Sequence, residues 1–506
     1  MGIISKLVGQ TAIYGLSTII GRFLNFMLVP LYTRCFSQSE YGVVTELYSY
    51  TVFLMIFLTY GMETGFFRFV QNKDDQPKVF STIMTSLFSS SAIFVGLVYL
   101  FLSPISSVLG YEAHQNFILI MAIIIGIDAF TSVPFAKLRH ENKALKFAAI
   151  KLTNIGINIG LNLLLIIVFP QIAKSSSNEW FVAHFAQPDV LWIFVSNLAA
   201  SVVTLLLLLP DIIRSRNGFD YELLKRILGY SWPLLISGLA GSINEVYDRV
   251  SLRYFLTVPE GQDASQYILS QVGIYGANYK LAMIISIFNQ AFRFAAEPFF
   301  FSRMKEKDSR QIYAKIMNYF TIFTLFLFLV IILYIDIFKH FIGSNFHEGL
   351  NIIPVLLMAN IFLGIVFNLS IWYKVTNQTK FGIGITGFGA VITLAINMIF
   401  VPIYGYVACA WATLACYVLM AVLSYNLCQK HYGIPYKLGA LAYYFILAGI
   451  FFVADKFIVI DNVILSYTAK TALVLAFAGL TVFNELRLAK RKPTSTILTK
   501  LYLQRD

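Results

Sequence analysis

Four basic side chains interrupt stretches of the chain that are otherwise long and apolar: Arg22, Lys280, Arg293 and Lys470. A charge at the centre of a membrane helix costs about 2.5–3.5 kcal/mol on insertion scales, so it persists where it faces water or a partner. We therefore predict that Arg22, Lys280 and Arg293 face a water-filled cavity and attract an anionic cargo. Arginine in particular suits phosphate, because its guanidinium forms paired hydrogen bonds with phosphate oxygens. Lys470 lies two turns inside its stretch, where a long side chain is expected to reach the membrane interface.

Ion pairs are the alternative explanation for two of these cations. Arg293 precedes Glu297 by four residues, which is the spacing of an ion pair within one helix. Arg22 has no acidic residue within four positions, so its alternative is a pair with a carboxylate of another stretch, at Glu46, Glu63 or Asp128. The sequence leaves both alternatives open.

A row of asparagines forms a second candidate binding feature. Asn154, Asn158 and Asn162 recur every four residues, which places them on one face of a helix with Lys151 at its charged end. We predict that this face hydrogen-bonds sugar hydroxyl groups. The alternative, equally open, is that the amides hydrogen-bond to neighbouring helices. Asn25, three residues after Arg22, is assigned to the same candidate binding site.

Acidic residues at membrane depth predict a site for a coupling ion. Glu245 and Asp248 lie three residues apart, and Asn397 offers a neutral oxygen ligand. Intramembrane carboxylates commonly mark ion or proton pathways, so Na⁺ or H⁺ is the candidate ion. The alternative for Asp248 is an ion pair with its neighbour Arg249. Two more carboxylates are added to the candidate site, because each either titrates or neutralises the cation of the first stretch: Glu63 and Asp128.

The sequence shows no pattern of a catalytic or metal centre. The cysteines include no C-x-x-C pair and are expected to be packing residues: Cys35, Cys409, Cys416 and Cys428. The six histidines are scattered, and only His340 and His347 are close together. The glycine motif at residues 382–387 lies inside an apolar stretch without a preceding strand, so it indicates close helix packing instead of nucleotide binding. We predict a protein that is not an enzyme and holds no cofactor or metal apart from the candidate coupling ion.

The elements that position these residues are predicted to be membrane helices. Of the 506 residues, 58% are apolar and 13% are charged, whereas a soluble domain carries about 25% charged residues. A helix needs roughly 20 apolar residues to cross the bilayer. We predict an all-α polytopic membrane protein with fourteen spans, at residues 11–33, 41–66, 79–103, 115–137, 147–169, 189–210, 228–252, 268–299, 313–338, 349–373, 381–402, 405–428, 438–456 and 463–485.

The placement of lysine and arginine supports this count and gives an orientation. When spans alternate, 28 of the 38 basic residues fall on the side that holds both termini. Basic residues concentrate in cytoplasmic loops, so this side is assigned to the cytoplasm. Topology thus explains most of the net charge of +12, and nucleic acid is not expected as a partner. The outer side receives only six basic residues: Arg34, Lys174, Arg249, Arg253, Lys339 and Lys456.

A weak internal duplication divides the spans into two groups of six. Tyr14 and Tyr230 open spans one and seven, and the second span of each group begins with Tyr-Gly, at residues 41–42 and 275–276. Paired six-helix lobes around a central cavity are a transporter architecture. We therefore predict the following division: an N-terminal lobe at 1–210, a cytoplasmic linker at 211–226, a C-terminal lobe at 227–430, two further helices at 431–486 and a basic cytoplasmic tail at 487–506.

Three stretches carry a family resemblance. They are YGLSTIIGRFLNFMLVPLYTR (14–34) followed by SEYG (39–42), GMETGFFRF (61–69), and YGANYKLAMIISIFNQAFRFAAEPFF (275–300). The chain resembles the oligosaccharide-lipid flippases of the multidrug/oligosaccharidyl-lipid/polysaccharide exporter superfamily, in particular the Wzx-type polysaccharide flippases. The resemblance implies V-shaped lobes and alternating access. Its implied cargo is an undecaprenyl-diphosphate-linked oligosaccharide, the repeat unit of an O-antigen, capsule or exopolysaccharide, moved from the cytoplasmic to the periplasmic leaflet.

The resemblance also assigns roles to residues. The basic cavity for diphosphate and sugar maps to Arg22, Lys280 and Arg293, and the sodium or proton site of some relatives maps to Glu245 and Asp248. It implies a multi-pass protein of the bacterial inner membrane, surrounded by membrane lipid, that works as a monomer and contacts the polysaccharide polymerase machinery.

Three other functions stay open on the sequence. Lipid II flippases share the fourteen helices and a basic cavity. Multidrug cation antiporters of the same superfamily carry an acidic residue in the first helix, where this chain has Arg22 and no Asp or Glu. An integral-membrane glycosyl or acyl transferase would need a cluster of acids or histidines at the interface.

Overall fold

The computed structural model describes residues 3–71, 76–214, 217–458 and 460–490. Within these ranges the regular elements are helical and no strand is formed, which confirms the predicted all-α fold. The α-helices are α1 (Ile3–Phe26), α2 (Val29–Cys35), α3 (Gln38–Thr59), α4 (Met62–Phe69), α5 (Gln76–Leu100), α6 (Leu102–Leu109), α7 (Gln115–His140), α8 (Ala144–Leu163), α9 (Phe169–Ala173), α10 (Glu179–Phe185), α11 (Leu191–Ile213), α12 (Tyr221–Phe255), α13 (Ala264–Arg303), α14 (Ser309–Leu333), α15 (Ile335–Phe338), α16 (Ile353–Leu369), α17 (Ile371–Val375), α18 (Lys380–Tyr404), α19 (Tyr406–His431), α20 (Leu438–Phe457) and α21 (Val463–Lys490). Shorter turns join them: 3₁₀ turns at Glu112–His114, Lys339–Phe341 and Ser344–Ile352, and a π-helical turn at Leu164–Val168.

Twelve segments of the described chain are long and apolar enough to cross a membrane. Each coincides with one of the fourteen predicted spans, so the protein is a multi-pass membrane protein. The two remaining predicted spans, seven and eight, form α12 and α13. These helices are long, but they are not apolar enough to be counted among the segments able to cross a membrane. The count of fourteen is therefore not confirmed.

The polarity of α12 and α13 has an identifiable source. Charged side chains interrupt the middle of both helices, with Glu245, Asp248 and Arg249 in α12 and Lys280 and Arg293 in α13. All of these except Arg249 are residues that the sequence marks as candidates for cargo or ion binding. The two helices outside the twelve apolar segments therefore carry four of the eleven site residues predicted from the sequence.

Two predicted spans are each broken into two helices for local reasons. Span one divides into α1 and α2 just before Pro30, whose ring disfavours a continuous helix through this point. Span two divides into α3 and α4 at Tyr60 and Gly61, which have φ of 30° and 73°. Left-handed backbone conformations suit glycine, and here they end one helix and begin the next.

The N-termini of α3 and α12 are capped by side chains. Ser37 accepts a hydrogen bond from the Glu40 amide, and the Glu40 carboxylate accepts one from the Ser37 amide at 2.8 Å, which is a capping box. Asp220, in the predicted linker, accepts a hydrogen bond from the Leu223 amide at 3.1 Å and starts α12.

Helix α12 contacts helices that come from both halves of the sequence. It packs along α18 and also along α3, α4 and α5. Among the earlier helices, α1 packs against α8, while α11 packs against both α7 and α8. This central position of α12 brings its charged face close to residues of α1, α3 and α8.

The chain divides into two compact units, which do not follow the predicted lobes. The first consists of Met1–Phe301 and Phe341–Asn426 and holds both candidate cavities. The second consists of Ser302–His340 and Leu427–Asp506. Within this second unit, Lys470 lies 3.4 Å from Asp336, so the lysine has a carboxylate partner. The division into two six-helix lobes stays a prediction.

Candidate functional site

A cavity of about 520 Å³ contains three basic side chains and is called the basic cavity here. Arg22 enters it from α1, Arg293 from α13 and Lys374 from α17. Its other polar lining residues come from α12, α13, α17, α18 and α19 and from the turn between α16 and α17: Ser237, Ser242, Asn244, Glu245, Tyr279, Ser286, Gln290, Ser370, Tyr373, Thr386 and Tyr417. A chamber that holds three basic side chains among hydroxyl and amide groups suits an anion carrying several oxygens.

The three cations of the basic cavity differ in how they are neutralised. Lys374 lies 2.5 Å from the Glu297 carboxylate, and Arg293 lies 4.0 Å from the same carboxylate. The Arg293 guanidinium also lies 5.2 Å from the centre of the Phe367 ring. Arg22 is exposed to the cavity and has no carboxylate within ion-pair distance in the described part of the chain. Arg22 is thus the cation with the most uncompensated charge.

The carboxylates that the sequence suggests as partners of Arg22 have other partners in the structure. Glu63 forms an ion pair with Arg139. Asp128 accepts a hydrogen bond from the Ser201 hydroxyl at 2.8 Å. Glu46 pairs with an arginine of α12, described below. The structure therefore does not form the interhelical pair that was the alternative for Arg22, whereas the Arg293–Glu297 pair is present at the limit of the distance range.

A second cavity of about 360 Å³ is lined by tyrosines and asparagines and is called the tyrosine cavity here. Its aromatic residues are Tyr32, Tyr41, Tyr48 and Tyr279, and its amides are Asn25, Asn154, Asn158 and Asn197. Three charged side chains line it as well: Glu245, Arg249 and Lys280. Hydroxyl, amide and aromatic groups are the chemistry expected for contacts with sugars.

Lys280 lies apart from the two arginines with which the sequence grouped it. It lines the tyrosine cavity, whereas Arg22 and Arg293 line the basic cavity. The two cavities share Glu245 and Tyr279 in their walls, so they adjoin each other at these residues. The predicted single basic site is thus two neighbouring chambers, because α13 turns Lys280 and Arg293, thirteen residues apart, toward different helices.

The asparagine row divides between binding and packing. Asn154 and Asn158 line the tyrosine cavity, and Asn158 donates to the Asn25 side chain at 3.4 Å. Asn162 is buried, accepts a hydrogen bond from the Tyr32 hydroxyl at 3.0 Å and donates to the Asn158 carbonyl at 2.7 Å. Asn162 therefore joins helices, which is the alternative that the sequence left open. Asn154 combines both roles, since it lines the cavity and donates to the Thr204 hydroxyl of α11 at 2.9 Å.

The predicted ion site is only partly assembled. Asp248 is buried, with 3% exposure, and accepts hydrogen bonds from the Tyr275 hydroxyl and from Arg249 at 3.2 Å. Asn397 accepts from the Ser251 hydroxyl at 3.1 Å, so its oxygen has a partner. Glu245, one turn before Arg249, faces both cavities instead. The alternative of a pair between Asp248 and its neighbour is formed, in the interior of the helix bundle.

Metal binding finds no support among the described residues, which contain no group of three or more His, Cys, Asp or Glu side chains able to hold a metal ion. Of the four predicted ion-coupling carboxylates, Glu245 alone lines the cavities.

Sequence reasoning missed two residues of the site. The sequence places Arg249 on the outer side at the end of span seven, but it is buried in α12 with its guanidinium 4.2 Å from the Tyr279 ring centre, and it lines the tyrosine cavity. The helical spacing of Glu245, Asp248 and Arg249 was the signal that could have placed it on one face. Lys374 was assigned to a cytoplasmic loop, and its pair with Glu297, 77 positions away, leaves no signal in the sequence.

Comparisons with known proteins agree with this architecture. The family described as "Polysaccharide biosynthesis protein" matches residues 7–305. No curated protein matches the chain by sequence. Among solved structures, a lipid II flippase MurJ in an inward closed conformation is similar, with a TM-score of 0.70 at 14% identity over 93% of this chain and 99% of that chain.

Two multidrug transporters are similar in fold as well. An inward-facing multidrug resistance MATE family transporter of the MOP superfamily has a TM-score of 0.61 at 14% identity, over 85% of this chain and 95% of that chain. The Vibrio cholerae MATE transporter VcmN in its bent form has a TM-score of 0.53 at 13% identity, over 87% of this chain and 98% of that chain. At such identities the likeness establishes the fold, which is a transporter fold of the kind that the sequence predicted.

Proposed function

Because the chain belongs to the polysaccharide biosynthesis protein family, we propose that it is a flippase for undecaprenyl-diphosphate-linked oligosaccharide. The cargo is the repeat unit of an O-antigen, capsule or exopolysaccharide, and it moves from the cytoplasmic to the periplasmic leaflet. The family and the fold support a flippase or exporter and not an enzyme. The nature of the cargo rests on the chemistry of the two cavities.

The observation that carries the proposal is the basic cavity. Arg22 reaches it without a carboxylate partner in the described chain, and Arg293 and Lys374 divide one carboxylate between them. A diphosphate offers several oxygens to such a group, and guanidinium groups bind phosphate in a paired geometry. The diphosphate therefore binds in the basic cavity, where its charge compensates cations that are otherwise costly at membrane depth.

The sugar occupies the adjoining tyrosine cavity. Asn25, Asn154 and Asn158 offer amide donors and acceptors to hydroxyl groups, while Tyr48 and Tyr279 offer aromatic faces and hydroxyls. Lys280 and Arg249 add hydrogen-bond donors on the α12–α13 side. The prenyl chain stays in the surrounding membrane lipid, since its burial in a polar chamber would lose the apolar environment of the bilayer.

The transport cycle is alternating access between two six-helix lobes, with both termini and the 211–226 linker in the cytoplasm of a bacterium. The protein works in the inner membrane as a monomer that contacts the polysaccharide polymerase machinery. Coupling to Na⁺ or H⁺ rests on Glu245, since the partners of Asp248, Glu63 and Asp128 described above leave those carboxylates engaged. A Glu245→Gln variant should lose any dependence of transport on the ion gradient.

The test uses a strain without its own flippase for a defined polysaccharide. Arg22→Ala should reduce surface polysaccharide at least tenfold at matched protein level, and Arg22→Lys should retain part of it, because a point charge replaces the paired donors. The matched control is Arg303→Ala, which removes an arginine outside both cavities, paired with Glu306 at 2.7 Å. Full restoration of polysaccharide by Arg22→Ala would remove the basic cavity from the mechanism.

Lipid II is the second candidate cargo, because the chain shares the fold of a lipid II flippase over almost the whole length of both proteins. Expression in a strain depleted of its lipid II flippase separates the two cargoes. Growth rescue would replace the oligosaccharide proposal, and failure to rescue with restored surface polysaccharide supports it. A multidrug cation antiporter is disfavoured, because α1 carries no acidic residue.

A further inference from the structure

A buried carboxylate connects helices from the two halves of the sequence. Glu46 of α3 has 0% exposure and lies 3.4 Å from the Arg253 guanidinium of α12. It also accepts hydrogen bonds from the Tyr50 hydroxyl at 2.9 Å and the Tyr111 hydroxyl at 2.8 Å. Arg253 in turn donates to the Leu109 carbonyl at 2.5 Å. The group of Glu46, Tyr50, Tyr111 and Arg253 is called the latch here.

Next to the latch, α3 and α13 cross with their backbones in contact. A Cβ atom on Gly42 would overlap the backbone of Leu269, and a Cβ atom on Gly273 would overlap the backbone of Gln38. Gly42 and Glu46 are four residues apart and so share one face of α3. Glycine at such crossings allows close helix approach. The latch and this crossing therefore close the same end of the bundle.

The opposite end, beside the predicted linker, is joined more weakly. Lys78 and Asp220 form an ion pair of 3.5 Å between partly exposed side chains, and Ser231 donates to the Gly61 carbonyl at 3.4 Å. The other contacts there are neutral: Ser81 donates to the Gly218 carbonyl at 2.5 Å, and the Asp220 amide donates to the Thr82 hydroxyl at 3.2 Å. Ile227 of α12 adds an apolar contact within the cluster around Phe66. Exposed ion pairs contribute little, whereas removing one partner of a buried pair leaves an uncompensated charge.

The two ends therefore differ in what their separation costs. Separation of Glu46 from Arg253 breaks a buried ion pair and exposes Glu46, which also accepts hydrogen bonds from two tyrosine hydroxyls. The linker end can therefore open at lower cost than the latch end.

We propose that the latch holds its end of the bundle closed in the cargo-free protein and separates once in each transport cycle. The empty chain then opens at the linker end, which the charge distribution assigns to the cytoplasm. The requirement for separation rests on the proposed transport function, whereas the closed resting state of the latch does not. Two experiments address these parts separately.

The first experiment locks the crossing with a disulfide. A Cβ atom at Gly276 would lie 3.2 Å from the Cβ atom of Thr45, close to the separation of about 3.5–4.5 Å in disulfides. Thr45→Cys and Gly276→Cys are combined in a Cys35→Ser background, since Cys35 is the exposed native cysteine of the described chain. Oxidation should reduce transport at least tenfold, and a reductant should restore it. The control is the same double variant before oxidation, and the two single-cysteine variants show whether oxidation alone changes transport, because both positions line the tyrosine cavity. Unchanged transport by the cross-linked protein overturns the proposal.

The second experiment measures closure without cargo or transport. Val52→Cys, in the wall of the tyrosine cavity, is labelled with a membrane-impermeant maleimide added from either side in the Cys35→Ser background. Glu46→Gln should raise the labelling rate from the latch side at least tenfold and leave the other side unchanged. A misfolded chain would label faster from both sides, and Arg253→Gln provides a second variant with the same expected result.

The matched control for labelling is Asp211→Asn. It removes the carboxylate that lies 2.5 Å from Lys146, a contact made between helices of the first half only. Equal labelling from the latch side in Glu46→Gln and Asp211→Asn contradicts the proposal. Latch-side labelling that rises without any transport of polysaccharide cargo would support the latch and count against the proposed function.

Discussion

Arg293 and Lys374 share one counter-ion, the carboxylate of Glu297. The lysine lies 2.5 Å from it and the arginine 4.0 Å. All three side chains are partly exposed, and both cations line the basic cavity. The proposed anionic cargo would therefore compete with a carboxylate that the protein itself supplies, and this competition would set how tightly the cargo is held.

Removal of this carboxylate should strengthen anion binding. For Glu297→Gln we expect the affinity for inorganic pyrophosphate to rise by about two- to fivefold, since partly exposed ion pairs are worth up to about 1 kcal/mol. Calorimetric titration of the purified protein with inorganic pyrophosphate measures this affinity. Glu306→Gln, which removes an acid from an exposed pair outside the cavities, is the control. Weaker binding in Glu297→Gln would mean that Glu297 positions the cations and does not compete with cargo.

Two asparagines on one helix face should respond differently to substitution. Asn162→Leu leaves the Tyr32 hydroxyl without its buried acceptor, so we expect a loss of about 1–3 kcal/mol in the free energy of unfolding. Asn158→Leu should change stability less and transport more, because Asn158 lines the tyrosine cavity. Thermal unfolding in detergent and surface polysaccharide at matched expression measure the two effects. If Asn158→Leu instead lowers stability more and Asn162→Leu lowers transport more, Asn158 has the structural role and Asn162 the role in transport.

Asp248 should act as a structural counter-ion. Asp248→Asn leaves the buried Arg249 guanidinium without its charge partner, so we expect destabilisation of about 3–5 kcal/mol. Combining it with Arg249→Met removes the orphaned charge and should recover much of the loss. Unfolding of the single and double variants in the presence and absence of sodium checks this. A sodium-dependent stabilisation that only Asp248→Asn abolishes would instead make Asp248 an ion ligand.

We predict that Asp220 stabilises the start of α12 in a pH-dependent way and that acid removes this stabilisation. The hydrogen bond from the Leu223 amide and the nearby Lys78 hold the pKa of Asp220 below its usual value. A carboxyl group whose pKa is lower in the folded state than in the unfolded state stabilises the fold at pH values above its unfolded pKa of about 3.9. This contribution disappears as the pH falls through the pKa of the folded state. Asp220→Asn should therefore lower the stability near neutrality by this contribution and make the loss of stability in acid less steep, so that the two proteins converge at low pH. An unchanged acid limb would contradict the capping role.

The fold was largely predictable because its signal is local. Twelve predicted spans coincide with apolar helices, since a bilayer requires uninterrupted apolar length. The breaks at Pro30 and Gly61 also have local causes, although apolar length alone does not mark them. Helices α12 and α13 are not among these apolar helices, because polar and charged side chains that face the interior of the bundle replace apolar ones.

The candidate site was only half predictable because its contacts are not local. Arg22 and Arg293 could be recognised from their cost in a membrane, but the separation of Lys280 into another cavity depends on helix rotation. The sequence did not indicate Arg249 as a cavity residue, because a count of basic residues on each side of the membrane treats a charge near the end of a span as a loop charge. Lys374 meets Glu297 across 77 positions, and no periodicity encodes such a contact.

The polarity of α12 and α13 has a consequence for biogenesis. A segment that carries several charges leaves the translocation channel for lipid less readily than its apolar neighbours. We expect these two helices to enter the bilayer together, each shielding the polar face of the other and of segments already inserted. Their synthesis in the middle of the chain, after six apolar segments are in place, provides the partners that such a delayed insertion requires.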